Sequence, residues 1–120
     1  GENPEEPGED QAAPKAESLD FVDQSFWDDY YRLKFDLTED DASAYLKAIT
    51  SIKINKVECN KQETSFWGDK NSYKFSNDEA YGGDDQFIDF TEDCFSGEGE
   101  HTLTISAVGY KTLTYTYPAQ

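Results

Sequence analysis

The sequence predicts a small, mostly antiparallel β-sandwich, Ig-like in size, with one short α-helix. Its 120 residues are enough for one domain with a real core. Aromatic residues make up 15% of the chain, a composition typical of β-rich proteins. Several segments alternate apolar and polar side chains with a period of two, which indicates half-buried strands. These observations predict one sandwich domain over residues 19–120.

The N-terminal segment differs from the rest in composition. Residues 1–17 contain three prolines and six acidic residues, with no aromatic or β-branched residue. Such a segment buries too little apolar surface to offset the entropy lost on ordering. We therefore expect residues 1–18 to form a disordered acidic linker.

The first strand and the helix follow directly from their patterns. Apolar residues alternate with charged ones over residues 31–37, as in a half-buried strand. Thr38 and Asp41 resemble a capping box, with Asp in place of the usual Glu. Beyond this cap, four apolar residues fall on one helical face, namely Ala42, Tyr45, Leu46 and Ile49. This spacing predicts a short helix over residues 39–48.

Five further segments predict strands. Residues 51–57 alternate, and Tyr73 and Phe75 mark a strand that precedes a polar loop over residues 77–85. Residues 87–91 predict the next strand. The last two flank Gly109, whose access to positive φ suits a β-hairpin. The repeated face of each strand predicts a core of Leu33, Phe35, Ile52, Ile54, Phe75, Ile88, Phe90, Leu103, Ile105 and Tyr115.

Charge and hydropathy exclude several function classes. The formal net charge is −16 and the sequence pI is about 4.1, which argues against nucleic acid and against an anionic membrane surface. No apolar run approaches the ~20 residues of a membrane span. The acidic clusters, such as the one over residues 78–89, lack the spacing of a calcium loop, so we interpret them as a solvated face.

Catalytic and metal chemistry has few candidates. His101 is the one histidine, and any Ser/His/Asp or Cys/His site would have to use it. Cys59, Cys94 and His101 lack the close paired spacing of zinc ligands. We expect His101 to be an exposed residue at the start of a strand, and the protein to be no enzyme and to use no metal or cofactor.

The two cysteines leave three interpretations open. Cys59 and Cys94 could form one disulfide, which would stabilise the fold by about 2–4 kcal/mol. They could equally be buried free thiols. A reactive thiol is disfavoured, because neighbouring acids raise a thiol pKa.

Neighbouring aromatic residues point to a surface. Pairs such as Phe66 and Trp67 cannot both face one core from a strand. Such rings either cap the ends of the sandwich or anchor a partner, since Tyr and Trp are enriched at binding hot spots. The predicted binding residues combine four aromatic anchors with an acidic loop: Trp27, Tyr30, Trp67, Tyr81, Asp84 and Asp85.

Two blocks of sequence resemble a known family. The strand A-I-T-S-I-K-I-N ends at Asn55, and a terminal hairpin, H-T-L-T-I-S-A-V-G-Y-K, closes with Gly109 and Tyr110. Together with Tyr45 in the helix, this pattern is similar to the Shr-like haemoglobin-interacting domains of Gram-positive surface proteins. It differs where Lys56 stands in place of the glycine that commonly follows the asparagine.

The resemblance implies a location and a function. It implies a non-enzymatic binding module of a secreted or wall-attached bacterial protein, with haemoglobin or another host protein as partner, and we expect the domain to be a monomer. It carries over no contact residues. The alternative is a structural spacer that holds other domains away from the cell wall, because a fold does not fix a function.

Overall fold

The computed structural model describes residues 10–23, 29–62, 70–77 and 83–118. These residues form nine strands, one α-helix and a short 3-10 helix. In chain order the elements are β1 (Ala16–Val22), β2 (Tyr30–Phe35), α1 (Glu39–Ala48), β3 (Ile49–Ile54), β4 (Val57–Glu58), β5 (Asn60–Lys61), β6 (Ser72–Ser76), β7 (Phe87–Thr91), the 3-10 helix (Glu92–Cys94), β8 (His101–Ala107) and β9 (Leu113–Tyr117).

Two sheets share one hydrophobic core, as the sequence predicts. The strand order is β1-β2-β7-β6-β5 in the five-stranded sheet and β4-β3-β8-β9 in the four-stranded sheet. Cys59, between β4 and β5, is the residue at which the chain crosses from one sheet to the other. All strand pairs are antiparallel except β5 with β6, which are parallel.

The helix has the predicted bounds. The Thr38 Oγ1 atom accepts a hydrogen bond from the Asp41 backbone N–H at 3.1 Å, which satisfies one of the unpaired donors of the first turn. Tyr45 and Leu46 are buried, so the predicted apolar face is the face that packs on the core. The helix ends where Ile49 turns to extended backbone and begins β3.

The segment predicted as one strand over residues 51–57 is instead a tight hairpin. Strand β3 ends at Ile54, and Asn55 and Lys56 adopt positive φ values of 53° and 70°. Two successive left-handed residues reverse the chain with the twist that a hairpin needs. Val57 therefore lies in β4 and is exposed, so that part of the prediction is wrong.

The terminal hairpin forms as predicted, and the chain before β1 packs beside it. Gly109 has a φ of +84° in the connection between β8 and β9. Its carbonyl accepts a hydrogen bond from the Gln11 backbone N–H at 2.9 Å, and Gln11 forms a parallel bridge to Tyr110. Strand β1 begins at Ala16, so backbone pairing extends into the segment expected to be a linker.

The core contains the predicted residues and several others. Eight of the ten predicted residues are buried, while Phe75 and Tyr115 are half-buried and pack against the core. The buried residues that the strand pattern did not predict include Leu19, Tyr31, Tyr45, Leu46, Cys59, Tyr73, Cys94, Phe95 and Leu113.

Candidate functional site

The acidic loop lies along the helix at one end of the sandwich. The Gln86 side-chain Nε2 donates a hydrogen bond to the Glu39 carboxylate at 2.9 Å, near the start of α1. At the other end of α1, the Lys47 Nζ atom lies 3.9 Å from the Asp84 carboxylate. We call α1 and residues 83–86 the acidic end.

The two predicted acidic residues are both accessible at this end. The side chains of Lys47 and Asp84 are 72% and 64% exposed, and such an exposed ion pair contributes little to stability. The Asp85 carboxylate accepts a hydrogen bond from the Asn77 side chain at 3.0 Å. Both carboxylates can therefore attract a positively charged partner while the loop keeps its shape.

A cleft of about 410 Å³ opens between α1 and the acidic loop. Leu46 and Phe75 form apolar parts of its wall, and the Lys61 ammonium lies 4.7 Å from the centre of the Phe75 ring. Ser43 also lines the cleft, and its buried hydroxyl has no hydrogen-bond partner among the described residues. A second cavity, of about 400 Å³, lies beside Phe35 and Ala42 near the start of the helix. Two open clefts thus flank α1, although Tyr45 and Leu46 on its inner face are buried.

The predicted aromatic anchors do not gather at the acidic end. Tyr30 is half-buried and pairs with Thr91, whereas Asp85 precedes the opposite end of β7. At the rise of a strand, the two positions are roughly 20 Å apart. Trp27, Trp67 and Tyr81 lie outside the described residues. The structure therefore places Tyr30 away from Asp84 and Asp85 and leaves the other three predictions as they stand.

A buried ion pair occupies the outer face of the five-stranded sheet. The Arg32 guanidinium bonds both carboxylate oxygens of Asp89, at 2.8 Å and 3.0 Å, and donates to the Ser76 hydroxyl at 3.1 Å. It also lies 5.5 Å from the Tyr30 ring centre and 5.0 Å from that of Phe87. Asp89 is only 1% exposed, so this acid is committed to Arg32 and does not belong to the solvated acidic face.

The opposite end of the sandwich is closed by aromatic rings. We call Tyr31, Phe90, Phe95 and Tyr117 the aromatic end. Phe95 makes edge-to-face contacts with the other three, at centroid distances of 5.2–5.7 Å, a geometry that rings prefer. Burial, followed by the proximity of Tyr117, raises the pKa of Tyr31. These rings cap this end of the sandwich, but they do not include Phe66 and Trp67, for which the sequence left two roles open.

His101 belongs to this end and makes structural contacts. It is half-buried rather than exposed, and its Nδ1 atom lies 3.2 Å from the Asn55 side-chain amide. Its ring stands edge-on to Phe95, with the centroids 6.4 Å apart. Its Nε2 atom lies 3.5 Å from the Gly97 carbonyl oxygen, and no group of potential metal ligands forms within the described ranges. Nor does any helix there have the length and apolarity that crossing a membrane requires.

Both cysteines are buried and carry free thiols. The Cys94 sulfur lies 3.4 Å from the Thr91 hydroxyl. A hydrogen bond shared with Cys94, followed by burial, raises the pKa of the Cys59 thiol. The same hydrogen bond lowers the pKa of Cys94.

Comparison with known families identifies the same resemblance as the sequence motifs do. The matching family profile is described as "Heme-binding protein Shr-like, Hb-interacting domain" and covers residues 18–119. This range contains every element from β2 to β9 and most of β1. Comparisons with curated proteins and with solved structures gave no match.

Proposed function

The chain belongs to the Shr-like haemoglobin-interacting domain family, and we propose on this premise that it is a non-enzymatic extracellular module that binds haemoglobin. The family match over residues 18–119 is the observation that carries the proposal, because it spans nearly the whole fold. The module is secreted or wall-attached and monomeric. If haemoglobin is not its ligand, another host protein takes that place.

The chemistry of the described residues supports binding without catalysis. His101, the one imidazole in the sequence, is occupied by Asn55 and Phe95. Acid–base and nucleophilic mechanisms require a base within hydrogen-bond reach of the reacting group. With its one imidazole held in structural contacts, the chain fits a module whose task is recognition.

The acidic end supplies the electrostatic part of the proposed surface. A net charge of −16 attracts a basic patch on a partner from a distance, and exposed Asp84 and Asp85 direct that attraction. Loops held by a rigid sandwich are the usual place for binding residues. We expect Trp27, Trp67 and Tyr81 to add aromatic contact area to this surface, and Tyr30, which lies roughly 20 Å from Asp85, to have no part in it.

Two titrations test the proposal. Haemoglobin and free haem are each titrated into the purified domain and followed by calorimetry, and the haem titration is also followed by absorbance. We expect heat from haemoglobin and no change in the haem spectrum, because the protein and not the iron is recognised. If haemoglobin, separated globin chains and glycans all fail to bind at high micromolar concentration, the host-ligand proposal is wrong.

Matched charge variants locate the surface. The double variant Asp84→Asn/Asp85→Asn removes two exposed charges from the acidic end. The control Glu98→Gln/Glu100→Gln removes two exposed charges near the aromatic end. We expect the first variant to slow association several-fold and to weaken its salt dependence. Equal effects of the two variants would show that only the net charge matters.

Trp67 provides the test of an aromatic anchor. We expect Trp67→Ala to abolish binding while the melting temperature stays nearly unchanged, because an anchor contributes contact area to the complex alone. A large loss of stability in the variant would instead place Trp67 in the core and remove the main anchor from the proposed surface.

A spacer role is favoured by one observation. The large apolar side chains that are exposed in the described residues, Phe21, Leu37, Val57 and Val108, lie on four separate segments of the chain. Singly exposed apolar residues are normal on a monomer and mark no interface. If haemoglobin, globin chains and glycans all fail to bind to the folded domain, the spacer role is favoured.

A further inference from the structure

Three chain segments that are distant in sequence meet around the two cysteines. The Asn71 side-chain amide donates to the Glu58 carbonyl oxygen at 2.9 Å, which joins the segment of Cys59 to the start of β6. The Asn71 backbone N–H donates to the Asp93 carboxylate at 3.0 Å, which joins β6 to the segment of Cys94. These two hydrogen bonds clamp the residues before Cys59 and Cys94 onto the same asparagine.

The sulfur atoms lie inside this clamp. The Cys59 sulfur is 3.5 Å from the Asn71 side-chain oxygen, and the Cys94 sulfur is 3.8 Å from the carbonyl oxygen of Ser72, the next residue along. Each thiol also shifts the pKa of the other, raising that of Cys59 and lowering that of Cys94. The two sulfurs are thus held against consecutive residues, Asn71 just before β6 and Ser72 at its start, which places them for a bond between them.

We propose that Cys59 and Cys94 are a modification site, at which glutathione disulfide or a comparable disulfide oxidant forms an intramolecular disulfide. The bond ties the residue where the chain crosses between the sheets to the 3-10 helix after β7. It closes the loop between residues 59 and 94, on which β5, β6 and β7 lie. The proposal rests on the geometry of the pair and is independent of haemoglobin binding.

The reaction is a two-step thiol–disulfide exchange. One cysteine thiolate attacks a sulfur of glutathione disulfide, which forms a mixed disulfide and releases one glutathione thiolate. The second cysteine then attacks the protein sulfur of the mixed disulfide and releases the second glutathione. Two protein thiols are oxidised, one glutathione disulfide is reduced to two glutathiones, and both thiol protons pass to the released thiolates or to solvent.

Burial determines when this reaction takes place. Cys59 is 4% exposed and Cys94 is 5% exposed, so an oxidant cannot reach either sulfur in the closed fold. The first step requires an accessible thiolate. We therefore expect rapid oxidation during folding, slow oxidation of the folded reduced protein, and strong resistance of the formed disulfide to reductants.

The experiment refolds the full chain in a glutathione redox buffer or in excess dithiothreitol. Each sample is then unfolded in guanidinium, alkylated with iodoacetamide and weighed by mass spectrometry. We expect no alkylation and a mass lower by two hydrogen atoms after the redox buffer, and two alkylations after dithiothreitol. Two alkylatable thiols after refolding in the redox buffer, or disulfide-linked dimers in place of the monomer, would overturn the proposal.

Stability gives a second and independent readout. Closing a loop of this length is expected to raise the melting temperature of the wild-type protein by at least about 8 °C over its reduced form. The control Cys59→Ser/Cys94→Ser should melt at the same temperature in both buffers. Equal melting temperatures of the oxidised and reduced wild type would show that no such constraint forms, whether or not the serine variant folds.

Discussion

The two ends of the sandwich differ in the side chains that close them. At the aromatic end, Phe95 is 2% exposed and touches three further rings edge to face. At the acidic end, two cavities flank α1, and the exposed carboxylates of Asp84 and Asp85 face water. Because interlocking rings close one end and exposed carboxylates mark the other, we expect a side chain removed from the aromatic end to cost more stability.

Removing a ring from the aromatic end should produce the largest effect on stability. We expect Phe95→Ala to lower the free energy of unfolding by about 3–5 kcal/mol, because it leaves a cavity among rings that cannot collapse. The control is Phe75→Ala beside the acidic cleft, where the half-buried ring should cost about 1–2 kcal/mol. Chemical denaturation measures both, and equal losses would contradict the comparison between the ends.

Alkaline pH should destabilise the fold through Tyr45, which lies in α1. Burial, with a smaller effect of nearby Tyr110, raises the pKa of Tyr45 from 10.0 to about 12. The folded state therefore favours the neutral phenol. The contribution of the neutral phenol to the free energy of unfolding is complete below pH 10 and is lost as the pH rises through 12. The loss amounts to about 2–3 kcal/mol.

The Tyr45→Phe variant provides the control for this pH dependence. Phenylalanine keeps the packing against Phe35 and Tyr110 but has no proton to lose. We expect its free energy of unfolding to decline less steeply between pH 10 and pH 12. Parallel curves for the variant and the wild type would show that Tyr45 does not carry the alkaline transition.

A smaller effect should come from the serine that lines the cleft. Ser43 is buried with a hydroxyl that has no partner among the described residues. We expect Ser43→Ala to stabilise the fold by about 1 kcal/mol, since an unsatisfied group is removed and alanine favours the helix. The control Ser51→Ala removes a hydroxyl that donates to Glu58 at 2.7 Å and should not stabilise. A lower melting temperature of Ser43→Ala would indicate that this hydroxyl is satisfied in solution.

The smallest effect should come from the carboxylates of the acidic loop. Asp84→Asn/Asp85→Asn should change the free energy of unfolding by at most about 0.5 kcal/mol, because both groups are exposed. The same thermal melts apply to Glu98→Gln/Glu100→Gln. A decrease of several kcal/mol in the free energy of unfolding of the acidic-loop variant would show that this loop stabilises the fold.

Local sequence determined most of the elements. The bounds of α1, the strand around Phe75, the strand over residues 87–91 and the hairpin at Gly109 all follow from periodicity, a cap and a glycine. These signals act between residues that are near in sequence, where backbone geometry alone fixes which side chains share a face. The motifs also sufficed to identify the family.

Contacts between distant segments were decided only by the tertiary structure. The pairing of Arg32 with Asp89 needs the register of β2 against β7, and the meeting of Cys59 with Cys94 needs the crossover between sheets. The aromatic end likewise forms only because Tyr31, Phe90, Phe95 and Tyr117 meet after folding. Alternation marks one side of each strand as buried, but it contains no information about which strand lies opposite. Packing settles that choice, because it depends on the shapes and charges of all the segments together.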